Sequence, residues 1–169
     1  MYYFNDFDRQ QDEEQWGMEQ MRMGQIGMRD GMGMGMLSSD LFLINDISEA
    51  VIREVQAYNF YQRLAELAPN NEYRQTILGI QNDEARHYHW FTMMLRMMGA
   101  QQPQISTGDM PTSFLEGVKT AILHELDAAA FYQNIAYRAT TRHVQMHFMH
   151  ASHDEQRHAS LFQYILMNL

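Results

Sequence analysis

The 169-residue chain contains no cysteine. That excludes disulfides, thiolate nucleophiles, Cys-ligated zinc and iron–sulfur clusters together, so any metal chemistry must rest on histidine and carboxylates. Basic residues are few: Lys+Arg number 12 against 21 Asp+Glu, for a net charge of −9. Nucleic-acid binders carry the opposite balance, so that class is set aside. No apolar run approaches the ~18–20 residues of a membrane span. The acidic, aromatic start from Met1 to Gln20 lacks the basic and apolar regions of a secretory signal. The expected setting is therefore cytoplasmic, with neither membrane nor nucleic acid as partner. What the chain does have is 46% apolar residues, enough for one domain with a real core, together with 16 Met and 8 His.

Composition shifts near Ser38. Residues 1–40 hold half of the methionines and most of the glycines, and the run Gly31-Met32-Gly33-Met34-Gly35-Met36 is hostile to helix. Residues 1–38 read as an acidic Met/Gly-rich tail, with a short helical piece near Glu13 to Met23. A flexible extension is the plainer reading, and thioether metal binding or docking on a partner the alternative. From 39 to 169 the chain reads as helical throughout, with no competing strand pattern. Ser38-Ser39-Asp40 offers cap chemistry for a first helix. Pro69-Asn70-Asn71 breaks the chain, Gly99 stops a second helix, and Ser113 with Glu116 forms a capping box for a third. Thr140-Thr141 caps a fourth.

Connection lengths set the topology. Helices joined by two or three residues must form antiparallel hairpins. The link 99–111 is longer. A helix of about 28 residues is roughly 42 Å long, and thirteen extended residues reach at most about 43–47 Å. The link can run the length of the bundle, which gives an all-α, ferritin-like four-helix bundle with one long crossover between helices 2 and 3.

The hairpins also repeat each other at an offset of 71. Residues 50–95 and 121–166 share 14 identities in 46 ungapped positions. Apolar matches follow from helical composition, but a matched polar cluster does not. Glu54 pairs with Glu125, Tyr61 with Tyr132, and Asp83-Glu84-x-Arg86-His87 with Asp154-Glu155-x-Arg157-His158. A duplicated hairpin with pseudo-two-fold symmetry is expected.

Glu84 and His87 are i, i+3 and share a helix face, as do Glu155 and His158. That face is apolar in both helices, flanked by Ile80 and Phe91 in one and by Ala151 and Phe162 in the other. Glu54 and Glu125 fall on the buried stripes of helices 1 and 3. Four carboxylates and two imidazoles thus point into one core. Four buried anions without countercharge are severely destabilising, so they are protonated or neutralised by cations. One Glu from each of two helices, with Glu-x-x-His from each of the others, is the ligand scheme of ferritin-like di-iron and di-manganese sites. A bundle with buried polar pairs and no metal is the alternative.

On these residues, over about 40–169, the chain resembles the rubrerythrin/bacterioferritin group of the ferritin-like superfamily. The resemblance implies that Glu84 and Glu155 bridge two metals, that Glu54 and His87 complete one, and that Glu125 and His158 complete the other. It implies that Asp83 and Asp154 accept hydrogen bonds from the ligand histidines; a solvated pairing with Arg86 or Arg157 is the alternative. Two departures stand out. Without cysteine there is no rubredoxin-like domain to supply electrons. The extra rubrerythrin glutamate three residues after the helix-3 ligand is here Ala128, whose repeat mate is Ala57.

Tyr61 and Tyr132 follow Glu54 and Glu125 by two turns. They are candidates to donate to a ligand carboxylate or carry a radical, against the plainer reading of packed core tyrosines. His143, His147, His150 and Asp154 form a stripe on helix 4, either a metal route or, more plainly, a solvated polar face. The expected function is reaction of Fe(II) with O2 or H2O2 at two Fe ions, of ferroxidase or peroxidase type, in a homodimer or larger homo-oligomer. A di-manganese catalase with two Mn ions, ferritin-type storage, and a structural assembly protein are the alternatives.

Overall fold

A computed structural model describes residues 33–169, with side chains from Leu41 onward. It contains four helices: α1 (Gly33–Leu67), α2 (Asn71–Met97), α3 (Phe114–Arg138) and α4 (Arg142–Met167). Among the described residues there is no strand. The compact unit is Ser38–Leu169.

The helix ends follow from local chemistry. Asn70 caps α2 by accepting a hydrogen bond from the Tyr73 amide at 2.8 Å, and Ser113 and Thr141 do the same for α3 and α4. Past α2, Gly99 takes a positive φ of 69°, a conformation that costs glycine nothing, and the Ala100 amide returns to the Leu95 carbonyl. The start of α1 corrects the sequence reading. Ser38-Ser39-Asp40 do not cap it, because the helix already runs from Gly33. Once a helix is nucleated, each added residue gains a backbone hydrogen bond, and Met34 and Met36 are good formers that offset the glycines between them. The remainder of the 1–38 tail, with the helical piece near Glu13 to Met23, lies outside the described residues.

Contacts across the bundle fix the helix directions. Tyr73, at the start of α2, donates to the Asn168 carbonyl just past α4, so these helices are antiparallel. Arg138, at the end of α3, pairs with Asp46 early in α1, so these two are antiparallel as well. Residues 98–113 must therefore return from one end of the bundle to the other, which is the crossover expected.

The core is two apolar clusters, one toward each end. One holds Val51, Phe91, Tyr132 and Phe148; the other holds Ile122, Phe162, Tyr61 and Ile77. Each of these residues has its repeat mate in the opposite cluster. The pseudo-two-fold axis therefore passes between the clusters, through the layer that holds the buried carboxylates and histidines.

Candidate metal centre

Between the two apolar clusters lie Glu54 of α1, Glu84 and His87 of α2, Glu125 of α3, and Glu155 and His158 of α4. All six are at most 2% exposed. They form two overlapping groups, Glu54, Glu84, His87, Glu155 and Glu84, Glu125, Glu155, His158, in each of which one ligand atom per residue lies within 4.8 Å of the others. Glu84 and Glu155 belong to both. The structure thus brings together the six residues singled out from spacing, with the shared pair in the middle.

Nδ1 of each imidazole faces the carboxylates. His87 Nδ1 lies 3.1 Å from Glu155, 3.5 Å from Glu84 and 3.8 Å from Glu54. His158 Nδ1 lies 3.0 Å from Glu155, 3.3 Å from Glu84 and 3.6 Å from Glu125. Nε2 of each faces outward to an aspartate of the opposite hairpin: His87 to Asp154 at 3.2 Å, His158 to Asp83 at 3.1 Å. In the neutral imidazole, a proton on Nε2 donated to aspartate leaves the Nδ1 lone pair directed at the carboxylate layer. The same aspartates also bind arginine. Arg86 bridges Asp83 and Asp154 at 2.8 and 2.7 Å, and Arg157 bridges them at 2.7 and 2.9 Å. Each aspartate thus contacts both an imidazole and the arginines.

Tyr132 donates to Glu54 at 2.5 Å, and Tyr61 donates to Glu125. Both hydroxyls are held well above their ordinary pKa, by burial first and then by the facing glutamate, so they keep their protons as donors. The stripe His143, His147 and His150 is not part of the centre. It lies nearer the start of α4, where His147 meets Trp90 edge-on at 4.9 Å.

The electrostatics show what the pocket lacks. Burial pushes the Glu54 and Glu125 carboxyls well up, reinforced by Glu84 on the first and by Glu155 and Glu84 on the second. Burial opposes ionisation of both imidazoles, but Glu155 beside His87, and hydrogen bonds to Asp83 and the glutamates at His158, outweigh it and raise both. Glu155 resists its burial and is lowered by hydrogen bonding from Glu125 and by the His87 charge. Asp83, half-buried, is nonetheless brought down to about 2 by His158 and Arg157, and Asp154 is lowered likewise by His87 and Arg157. Protons therefore gather on Glu54, Glu125 and the imidazoles. Even so, Glu84 Oε1 and Glu155 Oε1 are buried and make no well-formed hydrogen bond, only ion-pair approaches to His158 Nδ1 at 3.3 Å and His87 Nδ1 at 3.1 Å. Orphaned buried acceptors are rare and costly, and these belong to a donor set of carboxylates and imidazoles that suits divalent iron or manganese. The residues fit a metal.

A cleft of about 470 Å³ reaches this layer between α1 and α3, past Ala57 and Ala128. Its rim residues, including Arg53, His124 and Asp127, were not foreseen. They break the repeat, Arg53 matching His124 and Gln56 matching Asp127, so the repeat signal could not mark them.

No family model matches the chain. It is 33% identical over 129 residues to the uncharacterized protein YhjR of Bacillus subtilis (strain 168), an alignment covering 76% of this chain and 89% of YhjR. Among solved structures it is similar to a conserved hypothetical protein, rv2844, from Mycobacterium tuberculosis, at a TM-score of 0.69 and 16% identity over 78% of this chain and 93% of that one. It is similar to a hypothetical protein from Pyrococcus furiosus at a TM-score of 0.66 and 16% identity, covering 74% of this chain and 88% of that one. It also matches the bacterioferritin-related protein of Bacteroides fragilis, a dodecameric thioferritin, at a TM-score of 0.66 and 19% identity over 76% and 86%. The fold is ferritin-like.

Proposed function

Since the chain belongs to the family of Bacillus subtilis YhjR, with a ferritin-like fold and a buried carboxylate and histidine cluster, we propose that it is a di-metal oxidoreductase that reacts Fe(II) with O2 or H2O2. The observation that carries this reading is the paired ligand set with its orphaned acceptors. Glu54 and His87 would hold one ion, Glu125 and His158 the other, with Glu84 and Glu155 shared. Two ferrous ions there supply one electron each, the pair that reduces H2O2 to water with two protons.

The chain's own groups do the positioning. Asp154 and Asp83 fix the tautomer and plane of His87 and His158. Tyr132 and Tyr61 restrain Glu54 and Glu125, leaving Glu84 and Glu155 with oxygens free to accept new partners. The apolar clusters close the layer toward both ends of the bundle, leaving the α1/α3 cleft as its opening among the described residues. The dodecameric state of the Bacteroides neighbour supports a homo-oligomer here, as does the exposed apolar face of α3 at Leu123, Leu126 and Tyr137.

The test is metal quantification after loading with Fe(II) or Mn(II), followed by O2 and H2O2 consumption. About two ions per chain are expected, with turnover of one oxidant under iron. Loading well below stoichiometry, or unchanged loading in Glu84→Ala/Glu155→Ala, overturns the reading. Turnover under manganese alone shifts it to a catalase.

A further inference from the structure

The two sides of the carboxylate layer are closed unequally. Toward α2 and α4 the imidazoles are covered by the Asp83, Asp154, Arg86 and Arg157 network, with Trp90 under Arg86. Toward α1 and α3 the cleft runs in past two alanines, and its lining includes Glu84 and Glu155, each with a buried oxygen lacking a hydrogen-bond partner. Ala57 and Ala128 are repeat mates, so both halves leave the same gap where a longer side chain would plug it.

The rim of that cleft is acidic and is spanned by one cation. Arg53 of α1 reaches across to Asp127 of α3 at 2.7 Å while holding Glu49 at 3.1 Å, and its guanidinium lies 4.4 Å over the Phe131 ring. At the symmetry-related position His124 packs against Phe60, the mate of Phe131, with ring centroids 5.7 Å apart. Asp109, from the crossover, lines the same rim. The crossover is held there because Gln56 donates to Ser106 at 3.2 Å and Gly108, at a φ of 66°, lies against the Gln56 side chain. Among the described residues of the rim, Glu49, Asp109 and Asp127 thus outnumber Arg53. Asp127 and Glu49 are half or more exposed, and ion pairs this exposed hold weakly and exchange readily.

We propose that the α1/α3 cleft is the route by which divalent cations reach the centre, with Arg53 as a displaceable counterion that gates its acidic rim. An arriving cation takes over Asp127 and Glu49 from Arg53, which keeps its stacking on Phe131, and then passes between Ala57 and Ala128 to the unpartnered oxygens of Glu84 and Glu155. The inference rests on the metal-binding reading above.

The test follows Co(II) uptake by the full chain through its visible absorbance in stopped flow. Arg53→Met removes the gate and should load faster than wild type; Asp109→Asn/Asp127→Asn weakens the rim and should load more slowly. Shifts of about three- to tenfold are expected at low ionic strength, collapsing at high salt, as for steered association. Ala57→Leu/Ala128→Leu fills the passage and should load slowest, reaching the same final occupancy. Asp109 and Asp127 are exposed and Arg53 is only partly buried at the cleft rim, so the charge variants keep the test decisive if the leucine variant misfolds. If wild type binds Co(II) but Arg53→Met and Asp109→Asn/Asp127→Asn load at its rate or in the reverse order, the route lies elsewhere and the inference is overturned while the metal centre stands. If wild type binds no Co(II), the metal-centre reading itself is overturned.

Discussion

The imidazole of His87 meets Asp154 through Nε2 and three glutamates through Nδ1. In the proposed centre Asp154 would act as an aiming device, because without it the ring can rotate and present the wrong nitrogen. Asp154→Ala should weaken metal affinity by about 10–100-fold while leaving all six ligands in place, measured by Co(II) titration against a competing chelator. Equal affinity in the variant would reduce Asp154 to a partner of Arg86. The six clustered residues themselves were legible in the sequence, since i, i+3 spacing puts Glu84 and His87 on one face and the apolar neighbours identify that face as buried. The crossed pairing was not. A repeat states that Asp83 and Asp154 are equivalent, and it is satisfied whether each serves its own histidine or its mate's.

At the level of elements, the crossover meets the bundle where α3 begins. A Cβ on Gly117 would stand 2.6 Å from Leu64 Cδ1 and 2.9 Å from Pro111 Cβ, whereas one on Gly79, in mid-α2, would meet nothing within 4 Å. Both glycines are helical, so propensity alone favours alanine at each. Gly117→Ala should instead destabilise, by about 1–3 kcal/mol from overpacking, and Gly79→Ala should stabilise by roughly 0.5–1 kcal/mol. Chemical denaturation of the two variants reads the opposite signs. Asn70 reads in the sequence only as part of a chain break, whereas the caps at Ser113 and Thr141 could be foreseen because they depend only on neighbours in sequence. The start of α1 could not, because its extension through Gly33 and Gly35 depends on the helix already formed behind it. The rim of the cleft escaped for a third reason: Arg53 and Asp127 are ordinary surface residues until α1 and α3 are laid side by side.

For the molecule as a whole, the centre ties folding to pH. Glu54, Glu125, His87 and His158 all have folded pKa values above their unfolded ones. The native state therefore keeps protons that the unfolded chain releases, and stability falls as pH rises. Asp83, Asp154 and Glu155 work in the other direction, but their contribution is lost only in acid, as pH falls below about 4 toward their lowered values. His124 and His143, lowered chiefly by burial, act only below about pH 6.5. From about pH 6.5 upward, the metal-free protein should melt at progressively lower temperature, and the metal-loaded protein should lose that slope as cations replace the protons. Parallel slopes for the two forms in a thermal unfolding series would contradict this assignment of the protons.

Asp83 serves His158 and Asp154 serves His87, while Tyr61 reaches Glu125 and Tyr132 reaches Glu54. Each of these bonds runs from one hairpin to the other. A lone hairpin carries ligands but none of the groups that aim them, so half of this chain is not half of a working centre. A gene for one hairpin gains the centre only through a self-paired dimer, and fusing two copies turns that dimer into a single chain. Fusion also frees the copies to differ wherever symmetry had held them equal, and Arg53 and His124, repeat mates that both line the cleft, are one place where the two halves of this chain differ.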